Sequence, residues 1–176
     1  MKGVELRQEK PKDYEAVFDL IDKAFQSEEF SDQSEKYLVE KLRKSDAFIP
    51  ELSIVATVGN AVVGHILLTK VKIKNASAEF PSLALAPVSV LPKFQNRGIG
   101  HKLIERAHQK ARKLGFTSVI VLGHENYYPR FGYVQANKFN IELPFNAPKE
   151  NCMAIELVQD GLKGISGKVE YPKEFA

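Results

Sequence analysis

The chain has 176 residues, 44% of them apolar and 27% charged, with 11 Gly and 9 Pro, a composition that calls for a real core and excludes a disordered or fibrous protein. Its 25 Lys plus Arg stand against 22 Asp plus Glu, and the net charge of +3 is spread along the whole sequence, which argues against a dedicated nucleic-acid or membrane-surface protein. The single cysteine, Cys152, excludes an intramolecular disulfide and a Cys-rich zinc module and points to a reducing compartment. Met1-Lys2-Gly3-Val4-Glu5-Leu6-Arg7 lacks the apolar run of a signal peptide, and the longest apolar stretches, near residues 61–68 and 83–91, fall far short of the roughly 20 residues that span a bilayer. A cytoplasmic protein of one domain, residues 1–176, is expected.

Residues 4–8 alternate as a short strand, and Pro11 with Asp13 opens a helix whose Val17, Leu20, Ile21, Ala24 and Phe25 form one apolar stripe. After the acidic loop 26–34, Asp32 and Glu35 stand at capping-box spacing, and Tyr37, Leu38 and Leu42 mark a second amphipathic helix ending near Ser45. Residues 52–58 and 61–73 are β-rich and are separated by Gly59-Asn60, which predicts a hairpin. A fourth strand is expected at 83–91, interrupted by Pro87. A helix follows at 98–114, with Ile99, Leu103, Ala107, Ala111 and Leu114 on one face and a stop at Gly115; residues 117–122 then read as a buried fifth strand. Strand, helix and strand in this order have the form of a parallel crossover, which places the Gly98 loop at the carboxyl end of a strand, where open α/β sheets bind ligands. Further short strands are expected within 134–143 and 152–157, with a turn-rich tail from Gly161 through Pro172. The order predicts an α/β fold: a mixed sheet of six or seven strands with helices on both faces and no dividing linker.

The most informative segment is Val88-Ser89-Val90-Leu91-Pro92-Lys93-Phe94-Gln95-Asn96-Arg97-Gly98-Ile99-Gly100, running directly into the amphipathic helix. Glycines at 98 and 100 allow a tight turn and close approach of a ligand, while the helix start offers unpaired N–H groups and the positive end of its dipole. With Lys93, Arg97 and Lys102 nearby, the segment suits a diphosphate; for two glycines alone, plain loop geometry is the simpler reading. The dinucleotide fingerprint is absent, because Leu103 stands where its third glycine belongs and Ser118 and Val119 stand where its acid belongs. A Walker loop is absent too, since the Gly167-Lys168 pair is followed by Val169 rather than Ser or Thr. Pro87 has no N–H and weakens the ladder on one edge of its strand, while the N–H groups of Val88 and Val90 point together to the other edge.

Gln95-Asn96-Arg97-Gly98-Ile99-Gly100 is similar to the Gln/Arg-x-x-Gly-x-Gly/Ala motif of the GNAT superfamily of acyl-CoA N-acyltransferases. Val88-Ser89-Val90 before Pro92 resembles that family's fourth strand, and Tyr128-Pro129-Arg130-Phe131-Gly132-Tyr133 resembles its later Tyr-x-x-x-Gly-Phe element, with Tyr133 in place of the usual Phe. The fuller string from Leu122 through Gly123, His124, Glu125, Asn126 and Tyr127 to Tyr133 resembles a bacterial branch of predicted N-acetyltransferases. The resemblance implies that the pantetheine arm of acetyl-CoA lies along Val88-Ser89-Val90 like an extra strand. It places the diphosphate on the amides of Gln95, Asn96, Arg97, Gly98, Ile99, Gly100 and His101, with no essential side chain required of Asn96 or Arg97. It makes Tyr128 the candidate acid for the departing CoA thiolate. With reference pKa values near 10 for Tyr and about 8.5 for a thiol, that transfer is uphill by about 2 kcal/mol unless the site tunes one partner, so Tyr128 either protonates the sulfur or orients it.

The implied reaction is direct attack of a neutral primary amine on the acetyl carbonyl, with an N–H near Val88 stabilising the oxyanion, no covalent acyl-enzyme and no metal. Glu28, Glu29, Glu51, Glu79 and Glu125 are the conceivable bases, and none is singled out. The acidic segment Ser27-Glu28-Glu29 with Asp32 suggests a cationic small-molecule acceptor, although a protein N-terminus or lysine would undergo the same chemistry and such a charge run is more often simply solvated. Phe25, Phe30 and Tyr37 form either a lid or the closure of the core. Cys152 reads as structural, His101 and His108 as surface residues, and the basic residues Lys102, Arg106, Lys110, Arg112 and Lys113 as a solvated face. His65 either lines an acceptor cavity or makes a core hydrogen bond, the second being preferred, while His124 and Glu125 stand close enough to the proposed site to affect substrate protonation. The competing class is a non-catalytic CoA-binding regulatory module, and association of two copies through the C-terminal strands stays open.

Overall fold

The computed structural model describes residues 3–28 and 31–176. β1 (Val4–Gln8) pairs antiparallel with β2 (Ser53–Val58), Val4 opposite Val58 and Gln8 opposite Ile54. The Gly59-Asn60 turn joins β2 to β3 (Ala61–Lys74) as the predicted hairpin, with a bulge where the register shifts between Ala56 and Thr57. Between β1 and β2 lie α1 (Tyr14–Phe25), which buries Val17, Leu20, Ile21 and Ala24, and α2 (Glu35–Arg43), which buries Val39 and Leu42. The expected capping box at Asp32 and Glu35 does not form, because α2 begins at Glu35 itself. Asp32 instead accepts from the Ser34 N–H at 3.0 Å, and the Glu35 carboxylate accepts from the Ser31 hydroxyl at 2.8 Å. Tyr37, expected on the apolar stripe, is 51% exposed and touches the Phe18 ring edge-on.

A turn at Asn75 leads into β4 (Glu79–Val90), which contains a cis Ala86–Pro87 bond; α3 (Ile99–Lys113) and β5 (Ser118–Leu122) follow. β4 and β5 pair in parallel, Leu83 opposite Val119 and Ala84 opposite Ile120, as a crossover through a helix requires. Leu114, assigned to the buried face of the helix, lies beyond its end and is 41% exposed. The stretch 134–143 is two strands, β6 (Val134–Gln135) and β7 (Ile141–Glu142), because the 3-10 turn Ala136–Phe139 and a left-handed Asn140 at φ 58° intervene. β8 (Cys152–Glu156) matches expectation, whereas β9 (Gly167–Glu170) falls in the stretch read as a turn-rich tail. Nine strands among the described residues therefore replace the expected six or seven.

The chain groups into two compact units, Met1–Leu68 with Ala86–Lys110 and Thr69–Leu85 with Ala111–Ala176, and β3, β4 and α3 each contribute residues to both. In the first unit the order β1-β2-β3 is set by the pairings above, and α3 lies directly on β3 at Gly64, where a Cβ would stand 3.0 Å from Leu103 Cδ1 and 3.1 Å from Ile99 Cγ2. The next residue, His65, points to the other face, toward Ser53 and Arg43 of α2, so helices cover both faces of this unit's strands. In the second unit the order is β4-β5-β8-β6, with Ser118 opposite Glu156, while β9 pairs antiparallel with β3 and in parallel with β7. Its core gathers Val71, Ile73, Ala84, Ile120, Ala154 and Val169. β9 is too short to stand out in sequence, and its pairing with β3 lies about 95 residues away, a long-range choice that local pattern does not encode. No helix among the described residues is long and apolar enough to cross a membrane.

Candidate active site

In the first unit, β4 ends at Val90 and the chain is pinned at once: Leu91 N–H donates to Val63 O at 2.9 Å, and a 3-10 turn (Pro92–Phe94) is closed by Phe94 N–H on Leu91 O at 2.8 Å. Gln95 Nε2 donates back to Val90 O at 3.0 Å, so this side chain ties the loop to the strand end. Asn96 (φ 63°) and Gly98 (φ 82°) then take left-handed conformations, which Asn tolerates and Gly adopts without strain. Apart from Gly98 and its two chain neighbours, no atom of the described residues lies within 4 Å of where a Gly98 Cβ would be, which leaves room for a ligand to approach the backbone. Gly100 sits inside the first turn of α3.

The first α3 bond back to the loop is Lys102 N–H to Gly98 O at 3.1 Å, so the amides of Ile99 and Gly100 precede any intrahelical acceptor. Ile99 and Leu103, both fully buried, hold this helix end onto Gly64. Asn96, Arg97, Gly98 and His101 are exposed; the Arg97 guanidinium lies 5.4 Å from the Phe94 ring centroid, and His101 pairs with Glu105. Val88 and Val90 are half-buried, while Ser89 is 3% exposed and its Oγ has no hydrogen-bond partner among the described residues. The arrangement sets backbone amides without helical acceptors at the positive end of a 15-residue helix, a geometry that can accept an anion.

In the second unit, β5 ends at Leu122, and Tyr127 and Tyr128 N–H both reach back to His124 O at 3.1 and 3.4 Å. The 3-10 turn Tyr128–Phe131 closes at Gly132, whose φ of 105° is left-handed and whose Cβ would come within 3.3 Å of Ile155 Cδ1. The glycine of the Tyr-x-x-x-Gly element is thus fixed by both conformation and space. Tyr128 is 8% exposed, its ring edge-on to Tyr127 at 5.1 Å and to Tyr133 at 5.6 Å. Burial, reinforced by the neighbouring Tyr127, pushes the Tyr128 phenol well above its usual range. The hydroxyl therefore keeps its proton, but handing it fully to a thiolate is more uphill than the reference values imply.

His65 is wholly buried and makes the core hydrogen bond expected of it. The Ser53 hydroxyl donates to Glu9 Oε1 at 2.8 Å, so His65 Nε2, 2.9 Å from Ser53 Oγ, is the donor in that pair. Arg43 grips Glu9 through two bonds of 2.6 and 3.1 Å, and its guanidinium stacks 4.0 Å from the Tyr14 ring centroid. Loss of solvation pushes the imidazole down to about 4, Glu9 opposing and Arg43 adding to the shift. Neither Glu9 nor Arg43 stands out in sequence, because their meeting depends on β1, β2, β3 and α2 converging.

His108, read as a surface residue, is 4% exposed, since it shares the buried stripe of α3 with Ile104, Ala107 and Ala111. His101 is exposed, and Cys152 is half-buried at the start of β8. Of the conceivable bases, Glu28, Glu51 and Glu125 are exposed and Glu79 is paired with Lys72 and Lys74. Glu29 and Phe30 lie outside the described residues. Asp32 of the acidic segment is occupied by Ser34, and its carboxyl is held below the usual range by that hydroxyl. Among the described residues no three His, Cys, Asp or Glu side chains cluster to hold a metal ion.

Residues 5–136 match the acetyltransferase (GNAT) domain family. Over 123 residues the chain is 34% identical to an uncharacterized N-acetyltransferase of Escherichia coli K12, YjhQ, covering 69% of this chain and 68% of that one. It is 26% identical over 171 residues to another, YhbS, covering 97% of each. The crystal structure of E. coli YhbS in complex with CoA is similar with a TM-score of 0.88 at 25% identity, over 98% of this chain and 91% of that one. A GNAT family acetyltransferase from Brucella melitensis in complex with acetyl-CoA gives a TM-score of 0.81 at 31% identity, over 98% of both chains. With three quarters of its length matched, with the glycine turn at the head of α3 and the tyrosine turn after β5 in place, the chain belongs to the GNAT acetyltransferase family.

Proposed function

We propose that residues 1–176 work as one domain that transfers the acetyl group of acetyl-CoA to a primary amine, most simply that of a cationic small molecule, by direct attack. The observation that carries this reading is the left-handed Gly98 at the head of α3, with open space where its side chain would be and two helical amides beyond it. Backbone N–H groups from Gln95 to His101 hold the diphosphate, and those of Val88 and Val90 hold the pantetheine arm, with Ser89 between them. The amine nitrogen bonds to the acetyl carbon while an N–H near Val88 stabilises the oxyanion; the C–S bond then breaks and the electron pair leaves on sulfur. Tyr128, protonated at any physiological pH, donates a hydrogen bond to that sulfur as the thiolate forms and keeps its own proton, while the proton lost by the attacking nitrogen passes through water to solvent or to the thiolate. The CoA and acetyl-CoA complexes of the two structural relatives support the choice of cosubstrate. The lone cysteine supports a cytoplasmic setting.

Calorimetric titration with acetyl-CoA and CoA, followed by a thiol-release assay over a panel of amines, tests this. Binding with amine-dependent release supports the proposal. Release only with peptide substrates would move the acceptor to protein amines, binding without release would favour a regulatory CoA-binding module, and no binding to either ligand would refute it.

A further inference from the structure

The turn that carries Tyr128 rests on a residue far along the chain. Gly123, directly after β5, donates its N–H to Asn151 O at 2.9 Å and accepts at its own carbonyl from Asn151 Nδ2, also at 2.9 Å. Asn151 therefore holds both polar groups of one glycine, and it is itself fixed by its N–H on Pro148 O at 3.0 Å, in the 3-10 turn that leads into β8. The Tyr128 ring lies against the side of Gly123 where a Cβ would be: such an atom would stand 2.3 Å from Cε2 and 2.8 Å from Cδ2 of the ring. No flexible side chain separates the ring from the clamped backbone. Tyr127 and Tyr133 close the ring in edge-on, and the Tyr128 N–H is held by His124 O. The ring therefore takes its position from Gly123, and Gly123 is tied to the start of β8.

We propose that Gly123 and Asn151 are positioning residues for acetyl transfer: Gly123 is the floor on which the Tyr128 ring rests, and Asn151 sets the height of that floor. This rests on the reading of Tyr128 as the group at the departing sulfur. Catalytic groups tolerate little displacement, with about 1 Å costing on the order of 100-fold in rate. Any side chain at 123 must push the ring outward by a comparable distance, whereas loss of the Asn151 amide only loosens the floor.

The test measures kcat, KM for acetyl-CoA and CoA affinity for Gly123→Ala and Asn151→Ala, each alone and combined with Tyr128→Phe, with crystal structures of the CoA complexes. Gly123→Ala is expected to lower kcat about 30-fold and Asn151→Ala about fivefold with CoA affinity unchanged, and each to change kcat less than about twofold once the Tyr128 hydroxyl is gone. Equal losses with and without that hydroxyl would overturn the proposal, because a purely structural role does not depend on it. Should Gly123→Ala fail to fold, Asn151→Ala, which introduces no overlap, decides the question by the same comparison. The structures separate this inference from the one beneath it. Where Tyr128→Phe turns over normally, the assignment of Tyr128 to the sulfur fails and the positioning role falls with it; where Tyr128→Phe is slow but the ring stays unmoved in Gly123→Ala, the positioning role alone fails.

Discussion

From Val88 to His101 the first unit presents backbone, while around Tyr128 the second unit presents one buried side chain. The cradle residues Asn96, Arg97 and Gly98 face solvent, and what fixes them lies beneath: Ile99 and Leu103 on Gly64, and the Gln95 amide on Val90 O. Tyr128 is enclosed by Tyr127 and Tyr133 and rests on a glycine. The first unit also buries an ionic network of Glu9, Arg43, Ser53 and His65, whereas around Tyr128 the second packs aromatic rings edge-on. An anion is held by several fixed dipoles that tolerate changes of side chain, but a proton donor depends on where a single oxygen sits.

The strongest way to break this comparison is to remove the charge that supports the first unit. Arg43→Met leaves the Glu9 carboxylate buried without its counter-ion and is expected to cost about 3–5 kcal/mol in denaturant unfolding. A loss under about 1 kcal/mol would mean that the network does not set this unit apart. Acid probes the same network through His65. Unfolded, its imidazole takes up a proton near 6.5, but folded it resists until about 4, so the unfolded state binds more protons between these values. Stability should therefore fall by about 3 kcal/mol as pH drops from 6.5 to 4, a slope that His65→Gln flattens and that pH-dependent unfolding measures directly.

For the seat, Tyr128→Phe should lower kcat about 100-fold, or about 2.7 kcal/mol, with CoA affinity unchanged in calorimetry. Because burial raises the phenol, deprotonation is deferred to higher pH, and the wild-type kcat profile should show no descending limb below pH 10 from this group. For the cradle, Gly98→Ala adds about 1–2 kcal/mol of left-handed strain and fills the open space, so CoA binding should weaken about tenfold while kcat at saturation holds. Arg97→Ala should weaken binding less than about threefold, and less still at high salt, since its side chain is exposed. A larger effect at Arg97 than at Gly98 would show that side-chain charge, rather than backbone, does the binding.

Much of the frame was legible because it is written in local pattern. β1 matched residue for residue, the apolar stripe of α1 was read nearly whole, and the crossover from β4 through α3 to β5 followed from element order. The errors fall where a distant partner decides. β9 forms because β3 offers it an edge, and His108 turns inward because the buried stripe of α3 is wider than its aliphatic residues alone suggest. At the site, Gly98 and Gly132 were visible as motif glycines, whereas Gly123 and Asn151 were not, since 28 positions separate them and each is unremarkable where it stands.

The sequence by itself determined the family, the order of the elements and the two turns that carry its motifs, because these depend on residue types at fixed short spacing. Only the tertiary structure decided how the Tyr128 phenol is tuned, which glycine supports it, and which charges lie buried on the face of β3 opposite α3. Those outcomes depend on desolvation and on contacts between segments remote in the chain. Both arise when the strands come together, and no local spacing records them.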